Sequence, residues 1–326
     1  IHLDSPLIGL QQYEGAPVDE IRGATRRALQ NLVNLAITEN VGCVLIAGDL
    51  FDGDWKDYNT GLFFSAKMAK LREAGVMVLL VAGNHDASSQ ITKYLRMPEN
   101  VKSLSVESPD TVILEALGIA VHGQGFHTRA VTADLTLAYP QPTPQYFNIG
   151  LLHTSATGRE GHEPYAPCSI QGLLAKNYDY WALGHVHKYE LIHEDPWILF
   201  SGNIQGRHAR ETGPKGCTLV TVQNGRVFSL EQRELDILRW SLCLVNVTGA
   251  DRVEDVLDRV IETLHQEMRE NADLPLAVRL VISGACKAHR DLSADIEQWT
   301  NEIRSAVTDL SNGRIWIEKV KLQTQS

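Results

Sequence analysis

Residues 76–86 read VMVLLVAGNHD. Val76 to Val81 form an unbroken apolar run that ends on Gly83, Asn84, His85 and Asp86. A run this short, with Gly75 ahead of it, predicts a buried strand. It delivers an amide, an imidazole and a carboxylate to its carboxyl end. Upstream, CVLIAGDLF (43–51) repeats the design and ends at Asp49. Downstream, FNIGLLHTS (147–155) ends at His153, and the stretch from Tyr178 through YWALGHVHK (180–188) ends at His185 and His187. In open α/β sheets, ligands bind beyond the carboxyl ends of the strands. Four strands therefore predict four polar ends gathered on one edge.

The segments between them alternate. Ile21, Ala24, Ala28, Leu32 and Leu35 recur at helical spacing, and Asn40-Val41-Gly42 stops that helix. A second helix, with Leu62, Ala66 and Ala69 on one face, is expected to end near Gly75. Strands apolar on both sides and separated by helices predict an α/β sheet covered on both faces. Beyond about residue 109 the signal turns to β. TVILEALGIAVHGQGF reads as two strands about Leu117-Gly118, and CTLVTVQNGRVFSLEQREL as a hairpin about Asn224-Gly225. A second sheet packed on the first accounts for them, giving a two-layer β-sandwich flanked by helices.

Composition shifts after EQRELD. From residue 236 the order is β-α-β-α-β, a small α+β domain with two amphipathic helices. Val253, Val256, Leu257, Val260, Ile261, Leu264 and Met268 mark the first; Ile296, Trp299, Ile303, Val307 and Leu310 mark the second. The expected division is thus 1–235 and 236–326.

The chain of 326 residues carries a net charge of −10, which argues against coating nucleic acid by charge alone. Bound cations reverse a local field, so a metal enzyme meeting DNA stays open. No apolar run approaches the ~20 residues that cross a bilayer. Five scattered cysteines, none in a C-x-x-C pair, predict buried free thiols and a cytoplasmic protein. No Walker or dinucleotide pattern is present.

Asp49, Asn84, His153, His185 and His187 offer nitrogen and oxygen without thiolate, which suits Mn²⁺, Fe²⁺ or Zn²⁺. Five ligands exceed one tetrahedral zinc with an open position and suit two ions about 3.5–4 Å apart. Asp49 is the best placed to bridge them. Asp52, three residues on, is open equally to a hydrogen bond that supports one of the site's residues from behind or to a cap. Arg207, Arg210 and Lys215 form the most basic loop near these residues, readable as phosphate contacts or as a solvated loop.

GDLFDG, GNHD, GLLHTS and GHVHK, in that order, resemble the calcineurin-like metallophosphoesterase family. HLDSPL and SGNIQGRHARETGPKG further resemble bacterial DNA-repair exonucleases of the SbcD type, in the YhaO-like branch. The resemblance implies a C-terminal capping domain and two Mn²⁺ ions. The first would be held by His2, Asp49 and His187, with an Asp that falls immediately before Ile1; the second by Asp49, Asn84, His153 and His185. On the resemblance, the first strand is expected to be truncated. It implies attack on phosphorus by a hydroxide between the ions, with His85 serving the leaving oxygen and Asp86 orienting its ring. The other seven histidines, His208 among them, match no ligand position of that family. DNA as substrate, an SMC-like coiled-coil ATPase as partner and a homodimer are implied likewise. Three readings stay open: a DNA nuclease, a phosphatase or small-molecule phosphodiesterase of the same fold, and an inactive DNA-binding subunit.

Overall fold

A computed structural model describes residues 1–5, 23–52, 57–88, 95–156, 165–271 and 274–326. Pro6 and Leu7 of the HLDSPL stretch, Ile21 and His162 lie outside the described residues. The chain divides into two compact units. One contains Ile1–Ser5, Thr25–Ile204 and Lys215–Leu235; the other contains Gln205–Pro214, Asp236–Ser326 and the described end of 6–24.

The first unit is a sandwich of two sheets. Helix α1 (Ala24–Thr38) precedes strand β1 (Cys43–Ile46); helix α2 (Tyr58–Glu73) precedes β2 (Met77–Leu80). With β3 (Val101–Ser103) these strands make a parallel sheet in the order β1-β2-β3, with Cys43 opposite Met77 and Ile46 opposite Leu80. The facing sheet contains β4 (Asp110–Leu114), β5 (Ile119–Gln124), β6 (Phe147–His153), β7 (Tyr180–Gly184), β8 (Glu190–Glu194) and β9 (Trp197–Phe200). Its order is β4-β5-β6-β7-β9-β8, with parallel pairing from β5 through β9 and an antiparallel strand at each edge. The expected turn about Leu117-Gly118 joins β4 to β5, and a hairpin of β10 (Gly216–Gln223) and β11 (Arg226–Glu234) turns at Asn224-Gly225.

Alternation along the strands builds three apolar layers. Ile46, Val78 and Leu80 face α1 and α2. Leu79, Val81, Leu151 and Tyr180 fill the space between the sheets. Leu152, Trp181 and Leu183 pack on the outer side, with helix α3 (Ile170–Leu174) supplying Leu173. Every residue of β6 is buried, as a strand covered on both faces requires.

Two expectations need correction. On α2 the buried face is Thr60, Gly61, Phe64, Met68 and Leu71, whereas Leu62 is 63% exposed. Apolar residues occur on several sides of this helix, and the larger Phe64 and Met68 take the core. On α1, Leu32 and Leu35 sit only partly buried beside the core positions Ala28, Leu29, Val33 and Ala36. The helix does stop as the sequence predicts, with Asn40 in the left-handed region at φ 51° and the Val41 N–H donating back to the Ala36 carbonyl.

The second unit is a parallel βαβαβ layer. Strands β12 (Arg239–Asn246), β13 (Leu276–Ala285) and β14 (Ile315–Gln325) lie in that order. Helices α4 (Val253–Glu270) and α6 (Ile296–Ser311) bury Val256, Val260, Leu264, Ile303 and Val307 against Val245, Val278, Leu280 and Ile317. A short helix α5 (His289–Ala294), not anticipated from the sequence, precedes α6.

Candidate metal centre

The carboxyl ends of β1, β2, β6 and β7 converge. Asp49, buried just past β1, is the common member of two groups. One ligand atom each from His2, Asp49 and His85 lie within 4.8 Å of one another, and so do atoms from Asp49, His153 and His185. The Asp49 Oδ2 stands 3.6 Å from His2 Nε2 and 3.4 Å from His153 Nε2. One carboxylate oxygen thus lies between imidazoles of both groups, the position a bridging ligand takes.

The remaining predicted ligands fall beside these. His187 Nε2 is 3.1 Å from His2 Nε2, and Asn84 Oδ1 is 2.9 Å from His153 Nε2. His153 and His185 stack edge to face, their ring centres 5.2 Å apart. His185 and His187 are two residues apart, and their rings go to different groups.

The backbone makes this convergence possible at some strain. His2, Asp49 and His185 hold φ of 50°, 53° and 100°, a region L-residues rarely adopt. Gly83 must be glycine for another reason: a Cβ there would stand 2.3 Å from Asp49 Oδ1 and 2.8 Å from His153 Cε1.

The donor set fits divalent cations. His153 Nδ1 lies 2.8 Å from the Ala47 carbonyl, which only accepts, so that nitrogen carries the hydrogen. Its Nε2 then faces Asn84 Oδ1 and Asp49 Oδ2, three electron-rich atoms aimed at each other. A cation placed among these three atoms satisfies all of them at once, and the carbonyl-fixed tautomer is the one that presents Nε2 to a metal. The spacing agrees: two ligands about 2.1 Å from an ion, at right angles, stand about 3.0 Å apart. The His2–His187 and His153–Asn84 separations match that edge.

Asp86 does not orient the His85 ring. Its Oδ2 accepts the N–H groups of Leu50 and Gly83 at 3.1 and 3.0 Å, and its Oδ1 accepts that of Phe51 at 2.9 Å. Asp86 opens the 3₁₀ turn Asp86–Ser88, which turns its carboxylate back into the β1 loop as a staple between two strand ends. Burial and the nearby Asp49 charge push its carboxyl upward, against the pull of those N–H groups. Asp52 takes the place expected of Asp86, with its Oδ1 2.9 Å from His85 Nδ1 and the Ser5 hydroxyl donating to its Oδ2. For Asp49, burial acts to raise the carboxyl, but His153, His85 and the His85 N–H together hold it below its ordinary value.

The basic loop resolves into separate roles. Arg207 pairs with Glu211 at 3.4 Å, and the Arg210 side chain is exposed. Lys215 is buried rather than solvated, and its ammonium donates to the His187 carbonyl at 3.1 Å.

Comparison with known proteins fits this geometry. Residues 2–189 match the family model described as calcineurin-like phosphoesterase, more than half of the chain. The chain belongs to the calcineurin-like phosphoesterases. Within that family, residues 240–325 also match the middle domain of the metallophosphoesterase YhaO. The uncharacterised metallophosphoesterase YhaO of Bacillus subtilis is 35% identical over 87% of this chain and 70% of its own length. The DNA double-strand break repair protein Mre11 of Sulfurisphaera tokodaii is 23% identical over 92% of this chain and 77% of its own. The Mre11 protein of Haloferax volcanii is 24% identical over 80% of this chain and 58% of its own. As a calcineurin-like phosphoesterase the chain is a metallophosphoesterase, and its two clusters of His and Asp side chains form a candidate bimetal site. Among the described residues, no helix is long and apolar enough to cross a membrane.

Proposed function

We propose that this metallophosphoesterase is a Mn²⁺-dependent DNA nuclease of the double-strand-break repair type. The observation that carries the reading is the Asp49 carboxylate, within 3.6 Å of imidazoles from two ligand groups. That arrangement supports a pair of ions rather than one. Nitrogen and oxygen donors without thiolate suit Mn²⁺, Fe²⁺ or Zn²⁺, and the family resemblance of the motifs selects Mn²⁺ among them. In the proposed assignment His2, Asp49 and His187 hold one ion, and Asp49, Asn84, His153 and His185 the other. Two such ions supply Lewis acidity to the phosphoryl oxygens and lower the pKa of water.

The chain's own residues do the rest. Asp52 fixes the His85 ring through Nδ1 and stabilises its protonated form. His85 then holds a proton for the departing oxygen. Asp86, through Leu50, Phe51 and Gly83, keeps the β1 and β2 loops in register. DNA is favoured as substrate because relatives called DNA double-strand break repair proteins span both parts of the chain. In this proposal residues 1–235 carry catalysis and 236–326 form the capping domain that meets DNA.

The test compares linear duplex DNA, bis-p-nitrophenyl phosphate and a phosphomonoester, each with Mn²⁺. Cleavage of duplex DNA in preference to the monoester is expected. Turnover of the monoester alone would overturn the nuclease assignment and leave a phosphatase.

A further inference from the structure

Lys215 immediately precedes β10 and is 7% exposed. Lysine is almost never buried to this degree without a compensating partner, since desolvating an ammonium costs free energy. Its Nζ donates to the backbone carbonyl of His187 at 3.1 Å. That carbonyl also receives the Asn203 N–H, at a longer 3.4 Å. A charged donor makes the stronger of the two bonds.

The geometry around it is a clamp on three residues of backbone. Gly202 stands at φ 77°, and a Cβ there would come within 3.0 Å of the Tyr189 nitrogen and 3.2 Å of the His187 oxygen. The turn of 201–203 therefore lies flat against 187–189. Lys215 is held in turn by its own main chain: its carbonyl accepts the Leu235 N–H at 2.9 Å, and the next residue, Gly216, donates to the Asn203 carbonyl at 3.1 Å. The ammonium thus reaches His187 from a fixed mount. Locking the carbonyl of His187 locks its Cα, and with it the direction of an imidazole whose Nε2 stands 3.1 Å from His2 Nε2.

We propose that Lys215 is a positioning residue for His187 and sets the affinity of one of the two cation positions, the one shared by His2 and His187. This inference rests on the two-metal reading of the site. In it Lys215 acts on the cation position through the His187 backbone rather than on substrate.

The experiment is titration with Mn²⁺ alone, without substrate, followed by calorimetry and by the electron paramagnetic resonance of bound Mn²⁺. Wild type, Lys215→Met, Lys215→Arg and His187→Ala are compared. Lys215→Met should weaken one Mn²⁺ site by on the order of 10–100-fold, the range for residues that orient a metal ligand. The other site should keep its wild-type affinity. His187→Ala should lose the same site, and Lys215→Arg, which keeps a charged donor, should recover most of the affinity. If Lys215→Met does not fold, Lys215→Gln replaces it in the same comparison. Two unchanged Mn²⁺ affinities in the neutral variant, or an equal loss at both sites, would overturn the proposal. A wild-type protein that takes up no Mn²⁺ would sink the two-metal reading itself, a separate outcome.

Discussion

Asp52 Oδ1 lies 2.9 Å from Nδ1 of His85, so the ring is held by the carboxylate three residues past Asp49 and not by its neighbour Asp86. Under the proposed function this contact gives His85, as proton carrier, a fixed tautomer. His85→Ala is expected to keep both ions and lose on the order of 10²–10⁴-fold in kcat, the usual worth of a positioned acid or base. Asp52→Asn, which keeps the ring but not the charge, should fall between that variant and wild type. Steady-state kinetics on bis-p-nitrophenyl phosphate, with Mn²⁺ content measured in parallel, checks both. Loss of metal from His85→Ala would make the residue a ligand.

Asp49→Ala should empty both ion positions at once, because its carboxylate lies between the two imidazole groups. Calorimetric titration with Mn²⁺ should return no tight site. A variant that still binds one ion with wild-type affinity would end the bridging assignment.

Gly83→Ala tests how closely the site is packed. The added methyl would press on Asp49 Oδ1 and on His153. Metal affinity should drop by on the order of tenfold or more while circular dichroism stays unchanged. Wild-type affinity in that variant would mean that the β2 loop yields freely.

The thiols give a test by pH. Burial pushes the thiols of Cys43, Cys168 and Cys217 up to about 11, and that of Cys243 to about 12. Raising a thiol's pKa reduces the thiolate, the reactive form, at any pH below it. At pH 8 about one molecule in a thousand carries thiolate at a site whose pKa is three units higher. Alkylation of these four should be slow in the native protein and fast in urea, with mass spectrometry reading the sites.

In the second unit, Arg239 meets Asp236 through two bonds of 3.0 Å each and donates to Asn271 at 3.1 Å. Both side chains are nearly inaccessible, 6% and 0% exposed. Removing Arg239 takes two charge-assisted bonds from a buried carboxylate. Arg239→Met should lower stability by about 3–5 kcal/mol, read by urea denaturation. A change within experimental error would show that the Asp236 charge is compensated by groups other than Arg239.

Much of this site was readable in the sequence because its signals are local. Short apolar runs closing on Gly-Asp, Gly-Asn-His-Asp, a lone His153 and His185-x-His187 announce strand ends carrying donors. What stayed hidden depends on direction in space. Asp52 and Asp86 are both acids near His85, and only the turn after β2 decides which one faces the ring. The burial of Lys215 was hidden as well, since Gly-Pro-Lys-Gly looks like a surface turn and His187 lies 28 residues away. On α2, apolar residues on several sides blurred the periodicity, so the sequence pattern pointed to Leu62 where packing chose Phe64.

His2, Asp49 and His185 share one further property, their left-handed backbone. Conformations of that kind cost of order 1–3 kcal/mol where the side chain is not glycine. A scaffold selected for firmness alone would put glycine or asparagine at all three points. Variants of that sort are expected to melt later and to cleave nothing, so the natural chain runs below the thermal resilience its own architecture permits.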